Sequence, residues 1–270
     1  MFLDYTKTDV RIRVEKWAIS SVYLNREVTG EMYLPAFSNT TDRLHLLLLN
    51  DGQDLTTMQF DQILSRVYQK KNIQPVLTIG ISAGNRLQEY GISGQPDFKG
   101  RGSAAYNYRQ FIVQELLPFI HAQTKRSDFT SYTVAGFSLG ALSALDIAWH
   151  EAAIFTRIGA FSGSFWWRSK DYTEIQPDKY RIAHKIIKKA NTKPNLKFWF
   201  QAGTQDEKSD RNNNGIIDSI DDTTSLIAEL YRKGYEKNKE VKYVELLGGR
   251  HDLATWSKIM PDFLCWAFQN

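Results

Sequence analysis

Three residues in the order serine, acid, histidine are the first in this chain whose types and spacing could do chemistry together. Gly136-Phe137-Ser138-Leu139-Gly140 reads G-x-S-x-G. At about 7% for each fixed residue, that pattern arises by chance in a chain this long roughly one time in ten, so alone it decides little. Its setting adds weight: 131–135 reads as a strand and 141–149 as a helix. A serine held on the sharp turn between such elements is exposed for attack, and flanking glycines let the elements approach closely. The hydroxyl still needs a base to take its proton. His45 lies in an apolar strand, His121 and His184 lie within or at the edge of helical stretches, and His150 ends the helix after Ser138. His251 alone follows a final strand, 241–247, and the flexible pair Gly248-Gly249, so it can reach over the serine.

The acid belongs between them, after the penultimate strand 196–201, where Asp206 and Glu207 follow Ala202-Gly203-Thr204-Gln205. A carboxylate there holds the imidazole in the right tautomer and stabilises the imidazolium. Asp206 is the choice and Glu207 the competitor, because spacing does not say which points inward. A developing oxyanion needs two backbone donors. The Leu139 amide follows the nucleophile directly, and the Gln53 amide comes from the turn Asn50-Asp51-Gly52-Gln53-Asp54 after strand 44–49.

A second constellation is Asp210-Arg211-Asn212-Asn213-Asn214-Gly215-Ile216-Ile217-Asp218-Ser219-Ile220-Asp221. It follows the twelve-residue calcium-loop template, with glycine at the sixth position for the sharp turn. Asp210, Asn212, Asn214, the Ile216 carbonyl, Asp218 and Asp221 could supply the six or more hard oxygens that Ca2+ takes. Aspartate stands where an EF-hand has glutamate, and no helix is expected before the loop, so the pattern is closer to a dockerin-type loop. The expectation is a structural calcium stiffening the segment beside Asp206, with no organic cofactor. For substrate contacts the candidates are Trp166 and Trp167 as aromatic walls, and Arg86 for a polar or anionic group. Glu89, Tyr90, Arg101 and Arg168 are further polar possibilities.

The elements that must position these residues alternate. Strands are expected at 10–14, 28–34, 44–49, 75–81, 132–137, 157–161, 196–201 and 241–247, the middle ones near-continuously apolar, as strands covered on both faces should be. Phe60, Ile63, Leu64, Val67 and Tyr68 share one helical face, as do Tyr108, Phe111, Ile112, Leu116, Phe119 and Ile120. Further helices are expected at 139–150, 179–190, 223–233 and 252–268. The pattern predicts an α/β fold: a mostly parallel sheet of about eight strands with an antiparallel start and helices on both faces. Residues 82–104, rich in glycine and without periodicity, read as a long functional loop.

These motifs resemble the esterase D-like (enterochelin esterase-like) family of α/β-hydrolases. Asp51-Gly52-Gln53, the Ser138 turn, Ser162-Gly163-Ser164-Phe165-Trp166-Trp167 and Gly248-Gly249-Arg250-His251-Asp252 occur in that family's order, over about residues 18 to 268. The family includes enterochelin esterases, feruloyl esterase domains and mycolyltransferases. The resemblance implies an α/β-hydrolase fold and serine-dependent acyl chemistry through Ser138, Asp206 or Glu207, and His251. Arg250 departs from the family's frequent Gly-Gly-His.

Composition fits one globular domain spanning residues 1–270, with 42% hydrophobic and 24% charged residues. A net charge of +4 is too mild for a nucleic-acid or membrane footprint, so neither partner is expected. The charge is uneven, however: residues 206–222 hold six acids against two bases. The one cysteine, Cys265, excludes an internal disulfide framework. No apolar run is long enough to span a bilayer, and Met1-Phe2-Leu3-Asp4-Tyr5 does not resemble a leader peptide, so a cytoplasmic location is expected. Taken together, the expected function is a serine carboxylesterase acting on a small polar or siderophore-like ester. The alternatives are acyl transfer at the same triad and a non-catalytic binding protein on a hydrolase scaffold.

Overall fold

The computed structural model describes residues 10–36, 43–70, 73–172, 176 and 178–269; the stretch Met1–Tyr5 read for a leader lies outside them. Among the described residues eight strands form one sheet: β1 (Ile12–Ser21), β2 (Arg26–Pro35), β3 (His45–Asn50), β4 (Val76–Ile81), β5 (Tyr132–Phe137), β6 (Arg157–Phe161), β7 (Lys197–Gln205) and β8 (Val241–Arg250). Their order is β1-β2-β4-β3-β5-β6-β7-β8. β1 and β2 form an antiparallel hairpin, β2 pairs antiparallel with β4, and every later pairing is parallel. This is the α/β-hydrolase arrangement expected from the alternation of strand and helix patterns.

The four-leucine run in β3 shows why the central strands carry no polar face. Leu46, Leu47, Leu48 and Leu49 are all fully buried, and successive residues serve opposite faces. Leu46 and Leu48 pack in the same cluster as the helical residues Phe111, Leu142 and Ile187. Leu47 and Leu49 pack in the other, with Phe60, Leu64 and Phe263. Each such buried leucine contributes about 1.5–3 kcal/mol. The helices involved are α1 (Phe60–Lys70), α2 (Arg86–Glu89), α3 (Ala105–Phe111), α4 (Leu117–Thr124), α5 (Leu139–His150), α6 (Ile182–Lys189), α7 (Asp218–Arg232) and α8 (Leu253–Phe268).

Several boundaries differ from expectation. β1 runs to Ser21 because its hairpin partner β2 supplies ladder bonds to residues whose side chains alternate weakly. A π-helical turn at Ile112–Leu116 links α3 to α4. Pro118, which has no N–H to give, sits just beyond it. α7 begins at Asp218 rather than at 223, so the end of the proposed calcium loop is helical. Within the glycine-rich segment 82–104, α2 is a single turn, and Gly91, Gly94, Gly100 and Gly102 all have positive φ. Among the described residues no helix is long and apolar enough to cross a membrane.

Candidate active site

β5 delivers Ser138 to the carboxyl edge of the parallel strands, and α5 starts one residue later. Ser138 has φ 54° and ψ −118°, a region that an L-residue occupies only at a cost of about 1–3 kcal/mol. The turn around it is paid for by tight packing and by main-chain bonds. The Ser138 N–H donates to the Phe161 carbonyl at 2.8 Å, and the Ser138 carbonyl accepts from the Ser164 and Ala141 amides, each at 3.1 Å. A Cβ on Gly136 would stand 2.5 Å from the Gly140 carbonyl, which is why glycine is required there. The Ser138 hydroxyl is half-buried and lies 3.3 Å from the Ser164 hydroxyl.

The turn after β3 packs directly on this elbow. Asn50, fully buried, donates from Nδ2 to the Gly140 carbonyl at 2.8 Å and accepts from the Tyr108 hydroxyl at 2.7 Å. Gly52–Asp54 then forms a 3-10 turn that carries Gln53. Neither the Gln53 nor the Leu139 amide donates to any group among the described residues. Two main-chain donors are thus left available on segments that touch. A cleft of about 490 Å³ opens beside Gln53, lined also by Gly52, Thr29, Glu31 and Lys16.

Asp206 follows β7 and faces inward. Its Oδ2 accepts from the Gly203 amide at 3.0 Å and from the Ser219 hydroxyl at 3.4 Å. Its Oδ1 is buried and has no hydrogen-bond partner, a costly state for a carboxylate oxygen. Asp206 acts electrostatically on His251, raising its pKa. Glu207 faces a different set: burial and the nearby Asp218 push its carboxyl up. Burial pushes the His251 imidazole below its ordinary value; Asp206 opposes that shift, Arg86 adds to it, and Asp252 opposes it.

The His251 ring is placed by aromatic packing that the sequence reading did not use. It meets Trp256 edge-on at 5.2 Å, and Trp256 stacks at 4.9 Å on Phe137, the residue before Ser138. Trp256 Nε1 also donates to the Ser162 hydroxyl at 3.0 Å. The only advance signal was a tryptophan on the inward face of the first turn of α8. Among the described residues His251 makes no hydrogen bond to Ser138 or Asp206. Catalytic hydrogen bonds are often long in a ligand-free site and tighten around the substrate.

The substrate candidates separate. Trp167 is fully buried in the core, so it is not a wall open to substrate; its ring fills the space beside Gly91 and Gly102, where a Cβ would come within 3.0 and 2.9 Å. Trp166 is half-buried, with the Arg101 guanidinium 5.1 Å from its ring centroid. Arg101 itself is forked onto the buried Asp97. Arg86 is committed to Asp51 rather than left free for substrate. Glu89 and Tyr90 are buried too, Glu89 holding Arg26 and the Tyr90 hydroxyl accepting from the Asp51 amide. His45 and His184 are buried, His45 against Ser131 and His184 against Ser225 and the Asp222 carbonyl.

The segment 210–221 turns at Gly215 and does not gather its carboxylates. Gly215 has φ +84°, and its amide donates to Asp210 Oδ2 at 2.8 Å. Asn214 and Ile216 amides bond the side-chain oxygens of Asn212 and Asn214. Asp218, however, accepts from the Arg211 amide, and Asp221 accepts from Asn212 Nδ2 at 2.8 Å. The Arg211 guanidinium, nearly buried, pairs with Asp178 and Asp222 and lies 3.3 Å from Asp218. Among the described residues no three His, Cys, Asp or Glu side chains converge as metal ligands. An ion would have to draw Asp218 and Asp221 away from Arg211 and Asn212.

Comparison with known proteins agrees with this architecture. The uncharacterized protein YbbA of Bacillus subtilis (strain 168) is 28% identical over 168 residues, covering 58% of this chain and 66% of YbbA. The enterobactin esterase FES from Shigella flexneri superposes with TM-score 0.72 at 20% identity, over 95% of this chain. The chain spans only 60% of that enzyme's length. An IroE-like serine hydrolase from Shewanella oneidensis gives TM-score 0.69 at 17% identity, over 95% of this chain and 80% of its own. At these identities the superpositions speak for the fold. The family model Esterase, described as "Putative esterase", matches residues 21–267, nearly the whole chain, and the chain therefore belongs to that family.

Proposed function

We propose that this chain is a serine carboxylesterase that hydrolyses a small polar or siderophore-like ester. The observation that carries the reading is the half-buried Ser138 on its strained turn, with the turn that carries Gln53 packed on Gly140 and a buried Asp206 Oδ1 that has no partner among the described residues. The Ser138 oxygen attacks the ester carbonyl carbon while His251 takes the hydroxyl proton. The Leu139 and Gln53 amides hold the negative oxygen of the tetrahedral intermediate, which collapses as the carbon–alkoxy bond breaks. His251 gives its proton to the departing alcohol, leaving the acyl group on Ser138. Water then attacks the acyl-enzyme, again losing its proton to His251, and the acid leaves as Ser138 regains a proton. In the substrate-bound site Asp206 is to accept from the imidazole N–H and so fix the tautomer that faces the serine, a bond that the structure does not contain among the described residues.

The cleft beside Gln53, with Lys16, Glu31 and Thr29 on its walls, is lined by neither Ser138 nor His251, so it suits only a polar arm of the substrate remote from the reacting carbon. Similarity to an enterobactin esterase supports including catecholate and hydroxy-acid esters among the trial substrates. The test is a panel of esters varied in acyl and alcohol parts, assayed with wild type and Ser138→Ala, with and without added acceptor alcohols. Hydrolysis that Ser138→Ala abolishes is the expected result. Product esters formed only with added alcohol would make acyl transfer the activity, and no turnover by wild type would remove both. Calcium at 210–221 belongs to the same proposal as a structural ion only, and no step of the reaction runs through it.

A further inference from the structure

Asp51 and Arg86 take no part in the scheme above, yet they stand where its pieces meet. Asp51 has a left-handed backbone, φ 61°, and caps the 3-10 turn that presents Gln53. Its side chain is 2% exposed and receives the Arg86 fork through two bonds, Nε to Oδ1 at 2.8 Å and Nη2 to Oδ2 at 2.9 Å. Arg86 Nη2 lies 3.3 Å from the Phe137 carbonyl, the last strand residue before the nucleophile. Asp51 Oδ2 lies against Gly140, 2.7 Å from where a Cβ would be, in the first turn of α5. The Gln53 side chain is tied in as well, with Nε2 at 3.4 Å from Asp51 Oδ1 and Oε1 accepting from the Ala83 amide at 3.0 Å.

This arrangement raises an electrostatic question. A buried carboxylate beside two oxyanion donors would oppose the negative charge that those donors are there to hold. Arg86 cancels it, and the bidentate fork does so with a fixed geometry that a point charge lacks. We infer that the Asp51–Arg86 pair is a positioning clamp, which fixes the Gln53 amide relative to the Leu139 amide and keeps the oxyanion site neutral until the oxyanion forms. The inference rests on the esterase reading above. It also accounts for the capture of Arg86 away from substrate. The charged groups that act on His251 are Asp206, Arg86 and Asp252; of these Arg86 alone disfavours the imidazolium.

The test compares Arg86→Met, Arg86→Lys, Asp51→Asn and the double variant Asp51→Asn/Arg86→Met in steady-state hydrolysis of a short-chain p-nitrophenyl ester. Losing one oxyanion donor costs about 10²–10³ in kcat, so misplacing one in Arg86→Met is expected to cost about 10², with KM within about threefold. The double variant should recover part of that loss, because it no longer buries an unpaired carboxylate. The acidic limb of kcat/KM should move to higher pH in Arg86→Met, where the imidazolium loses a repelling cation, and stay in place in Arg86→Lys. Arg86→Lys should still lose rate, since one ammonium cannot make both bonds. Wild-type kcat in Arg86→Met would overturn the clamp, and so would a loss confined to KM or to thermal stability with the limb unmoved. If Arg86→Met fails to fold, Arg86→Lys and Asp51→Asn decide by the same kcat and pH criteria. Fluorophosphonate labelling of wild-type Ser138 separates the two layers. A labelled wild type with an unaffected Arg86→Met removes the clamp alone, whereas an unlabelled wild type removes the esterase reading and the clamp together.

Discussion

Replacing Asp206 by asparagine exchanges one carboxylate oxygen for an NH₂ group at nearly constant volume. Two bonds hold the side chain where it is: Oδ2 accepts from the Gly203 amide at 3.0 Å and from Ser219 at 3.4 Å. Asparagine can keep both only by leaving its carbonyl oxygen there, which puts the NH₂ at the position of Oδ1, now buried without a partner. If Oδ1 is the oxygen that receives the imidazole N–H in the working site, a donor in its place selects the wrong tautomer, with N–H toward Ser138 and no lone pair to receive the proton. Loss of the orienting carboxylate in this way costs about 10⁴ in kcat, or roughly 5.5 kcal/mol of transition-state stabilisation. The same change removes the charge that raises the His251 pKa, so the residual activity should keep its acidic limb at lower pH than wild type. Folding should survive, because the buried NH₂ is uncharged and replaces an oxygen that already lacks a partner. Glu207→Gln is the control: its carboxyl is perturbed by burial and Asp218, not by His251, and kcat should stay within about threefold, less than about 0.7 kcal/mol. The assay is pH-resolved steady-state hydrolysis beside a thermal melt. Near-wild-type activity in Asp206→Asn, or a collapse in Glu207→Gln instead, would refute the assignment.

Gly140→Ala would put a Cβ 2.7 Å from Asp51 Oδ2 and 3.1 Å from Asn50 Cβ. It should cost about 1–3 kcal/mol of stability and at least about tenfold in kcat, read by denaturant titration and kinetics. His45 is buried and its pKa is pushed down to about 4 from 6.5. As pH falls below 6.5 the unfolded chain takes the proton first, so this contribution, about 3 kcal/mol, is present above 6.5 and lost toward pH 4. His45→Gln should flatten the fall of Tm over that window, though not abolish it, because His184 is shifted in the same direction. For calcium, an ion bound with Kd near 10⁻⁴ M would add about 1.4 kcal/mol at 1 mM, a rise of about 3–5 °C in the Tm of chelator-stripped protein. Asp210→Ala should erase the rise, and no rise in wild type would eliminate the ion.

What could be read in advance divides along physical lines. Leu46–Leu49 and the 3.6-residue face of Phe60–Tyr68 declare their elements because burial imposes a period, and α1 and β3 appear where those periods put them. Ser138 and His251 could be placed by chain order and flanking glycines, since the local backbone must turn there. Direction could not be read where two neighbours share a chemistry: Asp206 and Glu207 diverge only through the bends after β7. Residues 82–104 were illegible for another reason. Their partners are remote, Arg86 meeting Asp51 and Glu89 meeting Arg26, 35 and 63 positions away, and such pairings leave no local period. Trp167 misled because an aromatic after a strand looks the same whether it walls a cleft or fills the core, and Gly91 and Gly102 make the room that buries it.

Ser138 as an activated nucleophile is what everything else in the proposed reaction depends on. Treating the wild-type protein with a fluorophosphonate and mapping the adduct by peptide mass spectrometry tests it most directly. A single stoichiometric phosphonyl adduct is expected on the peptide containing Ser138, absent in Ser138→Ala and formed more slowly in Asp206→Asn. A folded wild-type protein that stays unmodified, or one modified at another residue, would contradict it.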